Sequence, residues 1–145
     1  MANLSITAGN VLKGANAKTR TGVAGTTITA GQVVYESVSG GVAKLFLADA
    51  DASAAASNVV GIALHGAADG QPLTYVYEDD DFTPGGTLDL SAAGADGVYV
   101  LSATAGAIAP VGDLAAAMYP VILFIAKSTT KAVMKITRGP TVLTA

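Results

Sequence analysis

Apolar residues in this chain come in short β-branched runs cut by glycine, and the longest bulky run covers only residues 121–126. A run of that length makes one strand, and it falls far below the roughly 18 to 20 residues of a membrane-spanning helix. Residues 27–38 read as strand, tight turn at Gly31 and strand, and Ser39-Gly40-Gly41 supplies the next turn. Further strands are expected at 42–47, 58–64 and, after the turn signal Asp69-Gly70-Gln71-Pro72, at 73–77. The second half has the same rhythm: 87–90, 98–102, 107–111, 121–127 and 131–138, separated by Pro84-Gly85-Gly86, Gly94, Gly97, Gly106 and Gly112. Short strands at such spacing predict an all-β fold, a sandwich or jelly-roll-like barrel.

One or two short helices are expected within it. Residues 49–57 are Ala-rich behind Asp49 and suit a short helix or, equally, a flexible loop, while 113–118 would start on Asp113 and stop before Pro120. Residues 1–27 are polar, small and irregular, and are read as an extended N-terminal arm or loose leading strand. Residues 28–145 then form a single β-rich domain, a usual size for one core. A duplication is hinted at: Ile28-Thr29-Ala30-Gly31 returns as Phe82-Thr83-Pro84-Gly85, and the apolar strand at 59–64 returns at 121–126.

Composition narrows the function. The chain is 51% hydrophobic and 13% charged, against about a quarter charged in ordinary soluble domains. Half the usual solubilising cover is missing, which points to assembly with neighbours. With no cysteine, neither disulfides nor thiolate metal sites support the fold. A net charge of −3 lacks the positive field that phosphate backbones require, so nucleic acid is not an expected partner. The start, Met1-Ala2-Asn3-Leu4, has no basic and apolar leader, so synthesis in the cytoplasm and no membrane association are expected.

Few residues offer chemistry. His65, the sole histidine, ends an apolar strand and precedes Gly66, which suits a hydrogen-bonded structural role; no Gly-x-Ser-x-Gly accompanies it. Asp49-Ala50-Asp51-Ala52-Ser53 begins like a calcium loop, but Ala54 and Val60 stand where the bend glycine and the bidentate glutamate belong. Glu78-Asp79-Asp80-Asp81 concentrates four of the eleven acids and reads as a solvated loop, a docking element for a basic surface, or an adventitious cation site. Its basic counterparts would be Lys127, Lys131, Lys135 and Arg138, in the same chain or in a neighbour. Lys131 and Lys135 share a strand face with Val133, opposite Ala132, Met134 and Ile136, as a charged edge or outer face. Together with Lys13, Lys18 and Arg20 on the leading segment, these form the candidate interface; no catalytic, cofactor or metal residue is assigned. The five tyrosines are dispersed and no tryptophan is present, which disfavours a sugar-binding platform. Gly40-Gly41 and Gly85-Gly86 lack the Lys-Ser/Thr of phosphate loops.

Four stretches carry a resemblance: Ile28-Thr29-Ala30-Gly31-Gln32-Val33-Val34-Tyr35, Asn58-Val59-Val60-Gly61-Ile62-Ala63-Leu64, Ala68-Asp69-Gly70-Gln71-Pro72-Leu73 and Gly106-Ala107-Ile108-Ala109-Pro110. In this order, over residues 25–137, the chain resembles the small capsid decoration, or cement, proteins of tailed bacteriophages. The resemblance implies a β-rich, non-enzymatic virion protein without cofactors, made in the host cytoplasm. It would bind the outer surface of the phage head as a dimer or trimer, bridging major capsid protein subunits, with an arm that reaches toward neighbours. Alternatives are a tail, fibre or head-spike domain or, from another class, a carbohydrate-binding or hydrolytic β-domain using carboxylates from Asp89, Asp96 and Glu78 to Asp81.

Overall fold

The computed structural model describes residues 3–91, 96–139 and 141–142, and only the backbone of Ser39. The turn expected at Gly94 lies outside the described residues, as do Met1 and Ala2. The fold is all-β. Its strands are β1 (Lys18–Val23), β2 (Val33–Ser39), β3 (Val42–Leu47), β4 (Val59–Ala63), β5 (Pro72–Phe82), β6 (Val98–Leu101), β7 (Ile108–Pro110), β8 (Val121–Ala126) and β9 (Ala132–Arg138). They form one curled antiparallel sheet in the order β3-β2-β4-β5-β9-β8-β6-β7, with β1 pairing to β5 off this path.

That order contains a repeat. Strands β1 to β5 pair as β3-β2-β4-β5-β1, and strands β5 to β9 pair as β7-β6-β8-β9-β5, so β5 closes the first five-stranded unit and opens the second. The registers agree to the residue. In the first unit Val33, Val34 and Tyr35 face Ile62, Gly61 and Val59, skipping one residue; in the second, Val98, Tyr99 and Val100 face Ile125, Phe124 and Ile122 with the same skip. Ile62 then pairs with Val76 as Ile125 pairs with Val133. The duplicated strand expected at 59–64 and 121–126 is therefore β4 and β8, equivalent by position and by bulge.

Each unit packs its own core. The first encloses Val34, Leu45, Ala63, Leu73 and Tyr75, and the second gathers Tyr99, Ile108, Phe124, Ala132 and Met134 with Phe82. The bulky residue changes strand between them. At Gly61 a Cβ would meet the Tyr75 ring, while the equivalent pair is Phe124 with Ala132, so volume moves across the ladder rather than accumulating. Val33, Ile62 and Val76, on the far face of the first unit, are 0% exposed because they join the second core.

The leading segment is fastened to the domain over its described residues, in place of a loose arm. Residues 18–23 are β1, Leu12 exchanges two backbone hydrogen bonds with Thr83, and Val11 is buried. In the first unit the Leu45 carbonyl accepts from Gly25 N at 2.8 Å; the equivalent Ile108 carbonyl of the second accepts from Leu4 N at 2.7 Å. Residues 4–7 thus fill a gap that the first unit closes with its own chain, and Thr7 N donates to Gly85 O on the other side. Gly31 and Gly85 both have φ +90, and a Cβ on either would press on Ile6 and Val11.

Three expectations need correction. Residues 27–30 form no strand, only an isolated bridge between Ile28 and Ala67. No α-helix occurs among the described residues; the helical elements are single 3-10 turns, Ala8–Asn10 and Val111–Asp113. At 49–57 side chains capture the backbone: Asp49 Oδ1 accepts from Asp51 N, Ser53 Oγ accepts from Ala56 N, and Ser57 Oγ donates to Ala54 O, turning the chain before a helix can propagate. At 113–118 the positive φ of Ala117 (70°) breaks the run. Residues 87–90 form no strand; Leu88 N instead donates to Thr129 O while its side chain is buried.

Candidate functional site

The acidic run lies inside β5, not in a loop, and its counter-charges come from the strands on either side and from the turn between β8 and β9. Lys18 on β1 reaches Glu78 at 2.7 Å, and Lys135 on β9 stands opposite Glu78 in register. Lys127 and Lys131 converge on Asp81 at 3.0 and 3.3 Å, and Lys127 also donates to Asp80 O. Asn16 donates to Asp80 at 3.4 Å. Four adjacent carboxylates tolerate an extended strand here because lysines neutralise Glu78 and Asp81 while N–H groups satisfy Asp79 and Asp80, which sequence separation conceals.

Asp79 differs from the other three. It is 1% exposed, and its carboxylate accepts from Gly14 N at 2.7 Å and from Asp81 N at 3.0 Å. A Cβ on Gly14 would sit 2.7 Å from Asp79 Oδ1, so glycine is what lets the leading segment approach. Asp79 therefore anchors that segment and is closed to a partner.

The ion pairs set a pH dependence. The hydrogen bond from Lys18 holds Glu78 below its ordinary range, those from Lys127 and Lys131 hold Asp81 down, and Glu78 in turn raises Lys18. Carboxylates with lowered pKa contribute stability that is complete above their unfolded values, about 4, and lost as pH falls through the folded ones. A variant with Lys18, Lys127 and Lys131 all changed to Met should lose less of its urea midpoint than the native chain between pH 5 and about pH 2. Equal losses in the two proteins would contradict this.

The outer face beside these pairs is apolar at its centre. Val98, Ile125 and Val133 lie directly opposite one another across β6, β8 and β9, with Ile125 51% and Val133 43% exposed. Lys131 and Lys135 flank Val133 on the same face, as their spacing predicts, while Ala132 and Met134 are buried beneath. Since β9 is paired on both sides, the lysines mark an outer face and not an edge. A shallow groove of about 410 Å³ runs between Asn16, Lys18, Glu78, Asp80, Val133 and Lys135. Ile125 was missed in the sequence because 121–126 is apolar throughout and reads as buried on both faces.

The remaining candidates scatter. Arg20 stacks over Tyr77 at 5.0 Å, and Lys13 is exposed on the leading segment. Arg138 leaves the cluster altogether, binding Ser57 Oγ and Ala54 O and lying over Tyr119. His65 has both ring nitrogens engaged by backbone, Nε2 accepting from Thr74 N and Nδ1 facing Gly66 O. Asp89 is held in its own loop by Ser91 N and Oγ, which lower its pKa. Tyr99 is buried against Phe124 and Tyr35 leans on Phe46, so the tyrosines share no platform. A groove of about 590 Å³ is lined by Ser5, Thr7, Asn10, Thr83, Thr87 and Thr130 among others, hydroxyls and one amide without an acid or base. Among the described residues no three His, Asp or Glu side chains are placed to hold a metal ion, and no helix is long and apolar enough to cross a membrane. No family model matches the chain, and no curated protein matches it by sequence.

Proposed function

We propose that this is a non-enzymatic structural protein of a phage virion, which binds the outer surface of the head and stabilises it by bridging major capsid protein subunits. The observation that carries this reading is the outer sheet face: a β-branched row, exposed at Ile125 and Val133 and half-buried at Val98, framed by ion pairs already closed within the chain. In a chain with 13% charged residues, such a face favours burial within a protein assembly. Desolvating it removes apolar area at about 25 cal/mol per Å² without exposing an unpaired charge. The low charge and the resemblance to capsid decoration proteins lend further support. On this reading the protein is made in the host cytoplasm, associates with itself as a dimer or trimer, and needs no cofactor, nucleic acid or membrane.

Shells assembled without the protein provide the test. Purified protein should bind them saturably and raise the temperature and osmotic shock at which they rupture. Shells that ignore the protein, and that resist rupture as well as complete ones, would contradict the proposal.

A further inference from the structure

We infer that the outer face of β6, β8 and β9 is an interface with a second copy of this chain, arranged about a two-fold axis that runs along β8. The inference rests on the assembly reading above and names the face and the partner.

Equivalence between the two units is the first argument. Val98, Ile125 and Val133 occupy the positions that Val33, Ile62 and Val76 occupy in the first unit, strand for strand and pair for pair. The first row is 0% exposed because side chains of this same chain cover it. The second row has the same β-branched chemistry, with Ile125 and Val133 exposed and Val98 half-buried. In a chain with 13% charged residues such a row favours cover by protein, and the two-fold axis makes the row of a second copy that cover.

Symmetry is the second argument. Ile125 is the middle of the row, on the strand between β6 and β9, and both outer strands run antiparallel to β8 and so parallel to each other. A two-fold axis along β8 therefore sets Ile125 on Ile125 of the second copy and Val98 on its Val133, an isologous contact in which the row is its own complement. It also brings Asp96, two residues before Val98, toward Lys131 of the second copy, two residues before Val133.

Charge is the third. Around the row, Lys18, Lys127, Lys131 and Lys135 meet the surface carboxylates of Glu78, Asp80 and Asp81, with Glu78 and Asp81 directly paired and Asp79 buried. A face of mixed sign and small net charge meets its own copy with little accumulation of like sign, and the two-fold sets Asp96 toward a lysine.

The chain has no cysteine, so single cysteines report proximity directly. Ile125→Cys in the full chain, oxidised as free protein, should form a disulfide-linked dimer at least tenfold faster than Val38→Cys, although Val38 is more exposed (70% against 51%). Equal rates for the two, or an Ile125→Cys protein that stays monomeric, would overturn the inference. Ile125→Lys should weaken self-association at least tenfold by sedimentation while leaving the circular dichroism spectrum unchanged; an unchanged association would also overturn it. These readings use no shells. A native chain that is monomeric at about 100 μM yet binds shells would sink this interface alone, and a dimer that ignores shells would sink only the capsid role.

Discussion

Replacing Phe124 by alanine should lower the unfolding free energy by about 3–5 kcal/mol, the usual cost of emptying a buried aromatic site. Phe124 is fully buried, stacked on Tyr99 at 5.3 Å and edge-on to Phe82 at 6.1 Å between ring centroids. The repeat explains why the site cannot collapse. In the first unit the equivalent position is Gly61, and the Tyr75 ring covers it; in the second, the residue equivalent to Tyr75 is Ala132, too small to follow a retreating Phe124. Ile125→Ala, one residue along the same strand but outward, should cost less than about 1 kcal/mol at protein concentrations too low for self-association. Chemical denaturation of the two variants reads the difference, and similar losses would mean that the faces of β8 are assigned wrongly.

The second large effect concerns Asp79. Changing it to alanine leaves the backbone N–H groups of Gly14 and Asp81 without their acceptor in a buried site. At about 1–3 kcal/mol for each abandoned donor, the expected loss is about 2–4 kcal/mol, somewhat relieved where water enters. Asp79→Asn keeps the shape and one good acceptor, so it should lose about half as much. The local consequence is more telling than the global one. Gly14 joins the segment that fills the gap beside β7 to strand β1, so its release should loosen both. Trypsin should then cut after the exposed Lys13 and Lys18 at least tenfold faster in Asp79→Ala than in the native chain, as mass spectrometry of the products would show. An unchanged cleavage rate would mean that the carboxylate does not hold the segment.

Local patterning made much of the fold readable. Strands at 42–47, 59–63, 98–101, 108–110, 121–126 and 132–138 fall where β-branched residues sit between glycine turns, and the alternation of Lys131, Val133 and Lys135 with Ala132 and Met134 places β9 correctly on its two faces. What could not be read depends on residues far apart in the chain. Glu78 to Asp81 look like a loop until Lys18, Lys127 and Lys131 are brought beside them, 60, 46 and 50 positions away for their respective partners. The helix expected at 49–57 is lost to side-chain hydrogen bonds that helix propensity does not count. The repeat shows faintly in sequence because its two halves conserve pairing and bulge position while exchanging large and small residues, as Gly61 and Tyr75 do with Phe124 and Ala132.

The candidate surface divides in the same way. Its charged members announce themselves by composition, yet the structure spends most of them on one another and withdraws Asp79 into the interior. The apolar row at its centre was half visible, since Val133 stands between two lysines, but Ile125 is masked by its apolar neighbours.

The capsid role is tested most directly by cryo-electron microscopy of phage heads assembled without the protein, imaged before and after it is added back. The prediction is symmetric density over the whole outer surface, with hundreds of copies per particle. Bare shells after incubation, or a few copies confined to a single vertex or to the tail, would contradict it.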